Sequence, residues 1–132
     1  MLSEIEFRTV TANGINLRLA MQGSGPLVVL CHGWPESWYS WRHQIPAIAS
    51  AGYTAVAYDV RGYGESDKPR TVAAYTLKEL AADVIGISDA LGFDRCITIG
   101  HDWGGPIALT TALLYPDRVC ATGSLSVPHL TR

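Results

Sequence analysis

The chain has 132 residues, of which 48% are hydrophobic and 17% charged, and its formal net charge is −2. This length supports one domain with a substantial core. The charge balance provides no basic surface for nucleic acid or for an anionic membrane, so neither is expected as a partner. No apolar run approaches the roughly 20 residues that span a bilayer, and the acidic, alternating start over residues 1–6 is not typical of a signal peptide.

Three cysteines lie in or beside apolar, strand-like runs: Cys31, Cys96 and Cys120. An odd number of cysteines in such positions predicts reduced, buried thiols and an intracellular, cytoplasmic protein. No paired spacing supports a metal or redox site, so no metal and no cofactor are expected.

The first half of the chain is predicted to contain a hairpin followed by two buried strands. Two alternating segments and two continuous apolar runs predict four strands, at residues 4–10, 15–21, 27–31 and 54–58. Asn13-Gly14 between the alternating segments is a strong hairpin signal. A helix is expected over residues 41–51, although Pro46 leaves its start undefined.

In the second half, strands and helices alternate. A helix is predicted over residues 77–91, with Thr76 and Glu79 as a capping box and Gly92 closing its end. Its apolar stripe is interpreted as core packing. A strand leading to Gly100, a helix reaching residue 115 and a buried strand over residues 119–125 follow.

A hairpin followed by alternating strands and helices indicates an α/β fold with a mostly parallel sheet and helices on both faces. The sequence ends soon after the last strand, which would leave a sheet edge and part of a face uncovered. Residues 1–132 are therefore expected to form the N-terminal part of a single larger core domain.

The segment Gly100-His101-Asp102-Trp103-Gly104-Gly105 has the glycine spacing of a nucleophile elbow, with aspartate where serine is usual. Gly100 and Gly104 leave room for a sharp strand-to-helix turn. An aspartate before a helix is often only an N-cap. Because a carboxylate is already ionised at neutral pH, however, Asp102 would be a nucleophile that needs no activating base, and this interpretation is preferred.

A second motif, His32-Gly33-Trp34-Pro35-Glu36, follows the third strand, at the sheet edge where ligands bind. Its loop is expected to aim the backbone N–H of Trp34 at the point that the N–H of Trp103 also reaches, so that together they form an oxyanion hole. His32 could be a base, but a histidine that holds the loop is preferred. Gly33 and Pro35 are given the same structural role.

Four tryptophans surround the predicted site. Trp34, Trp38 and Trp103 are assigned to substrate binding, and Trp41 to helix packing. In the segment 59–66, Asp59 and Arg61 are assigned structural rather than catalytic roles.

Together, residues 32–42, 61–66 and 100–105 resemble the soluble epoxide hydrolases of the α/β-hydrolase superfamily, and the resemblance extends over residues 25–128. It implies the N-terminal portion of an α/β-hydrolase fold, without the lid and the C-terminal strands. It also implies that Asp102 attacks a small apolar epoxide to form an alkyl-enzyme ester. Water then hydrolyses this ester while the N–H groups of Trp34 and Trp103 stabilise the oxyanion.

The family also uses a histidine–carboxylate pair and two lid tyrosines, and none of these can be assigned in this sequence. His129 is not at the family's histidine position, and the six tyrosines do not match the lid pair. We therefore expect a complementary C-terminal half as partner, and no turnover by residues 1–132 alone. The sequence does not decide whether the protein forms a homo-oligomer.

The sequence leaves two alternative functions open. A haloalkane dehalogenase shares the aspartate nucleophile, but often carries a polar residue where Trp34 stands and an acid after the sixth strand, whereas residues 123–132 contain neither Asp nor Glu. A hydrolase-fold binding protein without turnover is the second alternative, and the intact Asp102 motif argues against it.

Overall fold

The computed structural model describes residues 4–128, which form one six-stranded sheet. Its strands are β1 (Glu6–Ala12), β2 (Ile15–Gln22), β3 (Leu27–Cys31), β4 (Thr54–Tyr58), β5 (Cys96–His101) and β6 (Val119–Leu125). The helices are α1 (Gln44–Ser50), α2 (Leu77–Ala90) and α3 (Gly104–Leu114), with short 3-10 turns at Trp38–Trp41 and Val72–Tyr75.

The strand order is β1-β2-β4-β3-β5-β6. The β1–β2 hairpin joins β4 antiparallel, whereas β4, β3, β5 and β6 run parallel to one another. This arrangement confirms the predicted hairpin and mostly parallel sheet. It also places the carboxyl ends of β3 and β5 side by side, because these two strands are direct neighbours.

Helices cover both faces of the sheet, as predicted. Alternate residues of β3 point to opposite faces: Val28 and Leu30 pack in the cluster that contains Ile45 of α1. Val29 packs in the cluster that contains Val84 of α2. Because each residue of β3 is buried, the strand reads as a continuous apolar run.

The predicted helix over residues 41–51 is wrong at its start. A 3-10 turn occupies Trp38–Trp41, where the Ser37 hydroxyl accepts the Tyr39 N–H, and α1 begins only at Gln44. Pro46 lies in the first turn of α1, where a missing N–H is harmless.

The N-terminal cap of α2 forms only half of the predicted capping box. The Glu79 N–H donates to the Thr76 hydroxyl at 3.3 Å. The Glu79 carboxylate instead accepts from the Asn13 amide at 3.0 Å, which ties the hairpin turn to α2. Gly92, with φ of +80°, follows the end of the helix as predicted.

The prediction that the last strand is buried is wrong, since every residue of β6 is partly or fully exposed. In the described chain β6 lies at the sheet edge and pairs only with β5. For the same reason Cys120 is exposed, against the expectation of a buried thiol. Cys31 and Cys96 are buried as expected, and burial raises the pKa of their thiols to about 12 and about 11.

Candidate active site

Asp102 lies at the turn between β5 and α3, with a φ of +57°. A left-handed backbone is uncommon for a residue with a side chain, and such strain is often found at functional positions. The Asp102 N–H donates to the Leu125 carbonyl at 3.2 Å, and its own carbonyl accepts the Gly105 N–H at 3.0 Å. The backbone on both sides of Asp102 is thus fixed by hydrogen bonds.

The two glycines of the predicted elbow are required by close backbone contacts. A Cβ on Gly100 would overlap the backbone of Gly104, and one on Gly104 would overlap the Cys31 carbonyl. The sharp turn therefore depends on glycine at both positions, which explains the spacing in the sequence.

The Asp102 carboxylate is held by backbone N–H groups from two loops. The Trp34 N–H donates to Oδ2 at 3.1 Å. Hydrogen bonds from the N–H of Trp103, and next from that of Trp34, hold the pKa of Asp102 below its usual value. Desolvation opposes this shift only weakly, and the neighbouring His101 adds to it. The site therefore contains an ionised, partly exposed carboxylate against the two donors predicted for an oxyanion hole.

His32 holds the loop that carries Trp34. Its Nε2 accepts the Val60 N–H at 3.0 Å, so the ring proton must be on Nδ1, which lies 2.8 Å from the Gly33 carbonyl. Burial lowers the pKa of His32, which favours the neutral ring. Both nitrogens are engaged, and neither is left to activate a water molecule. This geometry supports the loop-holding role rather than a base.

Glu36, whose role was not predicted from the sequence, closes the same loop. Its Oε1 accepts the Gly33 N–H at 2.9 Å, while its own N–H donates to the Gly33 carbonyl at 3.0 Å. The Ser40 hydroxyl donates to Oε2 at 2.9 Å. The Trp34–Pro35 peptide bond within the loop is cis. The sequence signal that could have indicated this turn is the carboxylate of Glu36, three residues after Gly33.

Of the four tryptophans predicted around the site, two lie beside Asp102 and two lie elsewhere. Trp34 and Trp103 are each 65% exposed and flank Asp102 through their backbones. Trp38 packs edge-on against Phe7 of the hairpin, with ring centroids 5.0 Å apart, and lines a separate surface depression. Trp41 is buried in the cluster around α1, in the packing role predicted for it.

The loop after β4 is held by buried charges, in the structural roles predicted for it. The Asp59 carboxylate accepts the N–H groups of Trp38 and Glu65. Arg61 makes a two-pronged ion pair with Asp83 of α2, at 2.8 and 2.7 Å, and both side chains are almost fully buried. Burial raises the pKa of Asp83, and the hydrogen bond from Arg61 partly offsets this.

His129 lies outside the described residues. Within residues 4–128, no group of three His, Cys, Asp or Glu side chains is arranged to hold a metal ion. In the same range, no helix has the length and apolar character needed to cross a membrane.

Residues 26–130 match the family model for the alpha/beta hydrolase fold, and the chain belongs to that family. Its relatives include Epoxide hydrolase B of Mycobacterium tuberculosis, 57% identical over 108 residues that cover 82% of this chain and 30% of the relative. Epoxide hydrolase 2 of Siraitia grosvenorii is 46% identical over 131 residues, which cover 99% of this chain and 42% of the relative. The resemblance to the N-terminal part of epoxide hydrolases, predicted from three motifs, is confirmed.

The solved structure of an epoxide hydrolase from an endophytic Streptomyces matches with a TM-score of 0.96 and 52% identity, covering 98% of this chain and 39% of that chain. The chain thus spans between 30% and 42% of the length of these three proteins.

Proposed function

We propose that Asp102 is the nucleophile of an epoxide hydrolase that converts a small apolar epoxide to a vicinal diol. The observation that carries this proposal is the position of the Asp102 carboxylate at the elbow, where the Trp34 N–H donates to Oδ2 at 3.1 Å and the Trp103 N–H helps to lower the pKa of the carboxyl group. Relatives named as epoxide hydrolases support this activity over haloalkane dehalogenation.

In the first step, a carboxylate oxygen of Asp102 attacks a ring carbon of the epoxide. A C–O bond forms as the ring C–O bond breaks, and the electron pair stays on the ring oxygen. That oxygen takes a proton from water or from an acid outside the described residues. Attack at a saturated carbon requires a preformed anion, and the lowered pKa of Asp102 supplies one at neutral pH.

In the second step, water attacks the carbonyl carbon of the resulting ester, and the carbonyl oxygen becomes an oxyanion. The N–H groups of Trp34 and Trp103 are placed to stabilise this charge, and removing one such donor costs about 3–4 kcal/mol in a known hydrolase. The tetrahedral intermediate then expels the alkoxide, which takes up a proton to give the diol, and Asp102 ionises again to the carboxylate. We propose that a histidine–carboxylate pair in a complementary C-terminal half accepts the proton from the water and passes it to this alkoxide.

We also propose that the protein works in the cytoplasm, since Cys31, Cys96 and Cys120 are all free thiols.

The test is an intact-mass measurement of the chain after incubation with styrene oxide or with a chloroalkane. An ester formed from the epoxide raises the mass by the whole epoxide, whereas one formed from the chloroalkane adds the alkyl group and releases chloride. We expect the first adduct, and none in Asp102→Asn. An adduct with the chloroalkane alone would indicate a dehalogenase, and no adduct with either reagent would indicate a binding protein.

A further inference from the structure

The turn of the β1–β2 hairpin consists of Asn13 and Gly14, and both residues have left-handed backbones, with φ of +50° and +78°. Two-residue hairpin turns of this kind favour asparagine followed by glycine. Both residues are exposed, and a Cβ placed on Gly14 would meet nothing within 4 Å among the described residues. Water therefore reaches the turn, and the space beside Gly14 is open.

The chain contains two asparagines, Asn13 and Asn16, and they differ in the residue that follows. Asparagine deamidates when the peptide nitrogen of the next residue attacks the side-chain carbonyl carbon. Glycine hinders this attack least, because it has no side chain and its backbone is the most flexible. Gly14 follows Asn13, whereas the branched Leu17 follows Asn16. Asn13 is therefore the asparagine whose sequence neighbour favours the reaction.

The side-chain amide of Asn13 contacts two carboxylates of α2. Its Nδ2 donates to Oε2 of Glu79 at 3.0 Å, to Oδ1 of Asp83 at 3.1 Å and to the Glu79 carbonyl at 3.3 Å. Asp83 is fully buried and is also the ion-pair partner of Arg61. The amide hydrogens thus join the hairpin turn to the charged groups of α2, and the contact is favourable only while residue 13 can donate them.

We propose that Asn13 is a site of spontaneous deamidation and that the product releases the hairpin turn from α2. The Gly14 nitrogen forms a bond to Cγ of Asn13, its proton passes to the side-chain nitrogen, and that nitrogen leaves as ammonia. Water then adds to one carbonyl of the resulting succinimide ring, and the C–N bond at that carbonyl breaks as the ring nitrogen takes a proton. Opening at Cγ gives aspartate, and opening at the main-chain carbonyl gives isoaspartate.

The product reverses the electrostatics of the contact with α2. A carboxylate at residue 13 has no hydrogen to donate, and one of its oxygens replaces the nitrogen that lies 3.0 Å from Glu79 and 3.1 Å from Asp83. Arg61 is already paired with Asp83, so the added negative charge gains no cation of its own. Like charges at this separation repel, and the three hydrogen bonds of the Asn13 amide are lost. The turn must therefore move away from α2.

The first experiment detects the modification. The full chain is incubated in its folded state at neutral pH, digested with trypsin and mapped by mass spectrometry beside a sample that was digested without incubation. Residues 9–18 form one tryptic peptide that contains both asparagines, so Asn16 is an internal control. We expect ammonia to be replaced by water at Asn13, with aspartate and isoaspartate forms, and little or no change at Asn16. An unmodified Asn13, or equal modification of the two residues, would overturn the proposal.

The second experiment measures the consequence in variants that imitate the product. Asn13→Asp carries the new carboxylate. Asn13→Gly is its matched control, since glycine adopts the left-handed backbone and removes the hydrogen bonds without adding charge. We expect the Tm of Asn13→Asp to lie about 4 °C or more below that of Asn13→Gly, because only the former places like charges together.

Glu79→Gln removes one of the two charges that face residue 13. Combined with Asn13→Asp, it should restore much of the lost Tm, because a glutamine amide can donate a hydrogen bond to the new carboxylate. Equal Tm values for Asn13→Asp and Asn13→Gly, or no recovery in the double variant, would show that the new charge does not drive the turn from α2. Either result would overturn the proposed release.

Discussion

Gly33→Ala should impair the reaction at Asp102 without any change to the reacting groups themselves. An added Cβ would overlap Cβ of Asp102 and would lie 2.6 Å from its Oδ2 and 2.8 Å from Oε1 of Glu36. Ordinary contacts begin near 3.4 Å, so the loop and the Asp102 side chain must separate by at least about 0.8 Å. A misplacement of about 1 Å at a catalytic group can reduce the rate by about a hundredfold, and we expect a loss approaching that size.

The assay is the rate of Asp102 ester formation with propylene oxide, followed by intact mass in the folded protein. Gly123→Ala is the matched control, because a Cβ there meets nothing within 4 Å. This variant should form the ester at the same rate as the unmodified protein. If Gly33→Ala folds normally and keeps the rate of the control, the loop does not set the position of the nucleophile.

Three further predictions concern buried charge, pH and thiols. Asp83→Asn leaves Arg61 buried without its ionic partner and should lower the free energy of unfolding by about 3–5 kcal/mol in urea titrations. Asp89→Asn removes one partner of an exposed ion pair and should lower the free energy of unfolding by about 1 kcal/mol or less. Equal losses of unfolding free energy in the two variants would contradict this prediction. Ester formation needs ionised Asp102, so its rate should stay level as the pH falls from neutral and drop only below the ordinary aspartate pKa of 3.8. A decrease in rate with its midpoint above pH 3.8 would be inconsistent with the hydrogen bonds to the carboxylate. In the native protein iodoacetamide should label Cys120 alone, and early labelling of either buried thiol would show that the core opens.

Much of the sheet could be predicted because burial on both faces leaves a clear pattern. The runs at β3 and β4 are apolar at nearly every residue, and their predicted bounds match the structure. The elbow could be predicted for a different reason. Gly100 and Gly104 are required by backbone contacts, so their spacing around Asp102 carries the geometry of the turn.

The features that could not be predicted depend on contacts that apolar periodicity does not encode, most of them between residues that are distant in sequence. The exposure of Cys120 follows from the edge position of β6, which an apolar run does not reveal. The 3-10 turn before α1 depends on a local hydrogen bond to the Ser37 hydroxyl, not on apolar periodicity. An apolar cleft beside Trp103, lined also by Tyr63 and Leu80, is built by several segments that only the fold brings together.

In the proposed function, Asp102 is the residue that becomes covalently attached to the substrate. Peptide mapping by tandem mass spectrometry after incubation with styrene oxide shows which residue carries the ester. We predict a single ester on the peptide containing residues 100–105, located at Asp102 and absent from Asp102→Asn. An ester on another carboxylate such as the exposed Glu65, or one that persists in Asp102→Asn, would contradict the assignment of the nucleophile.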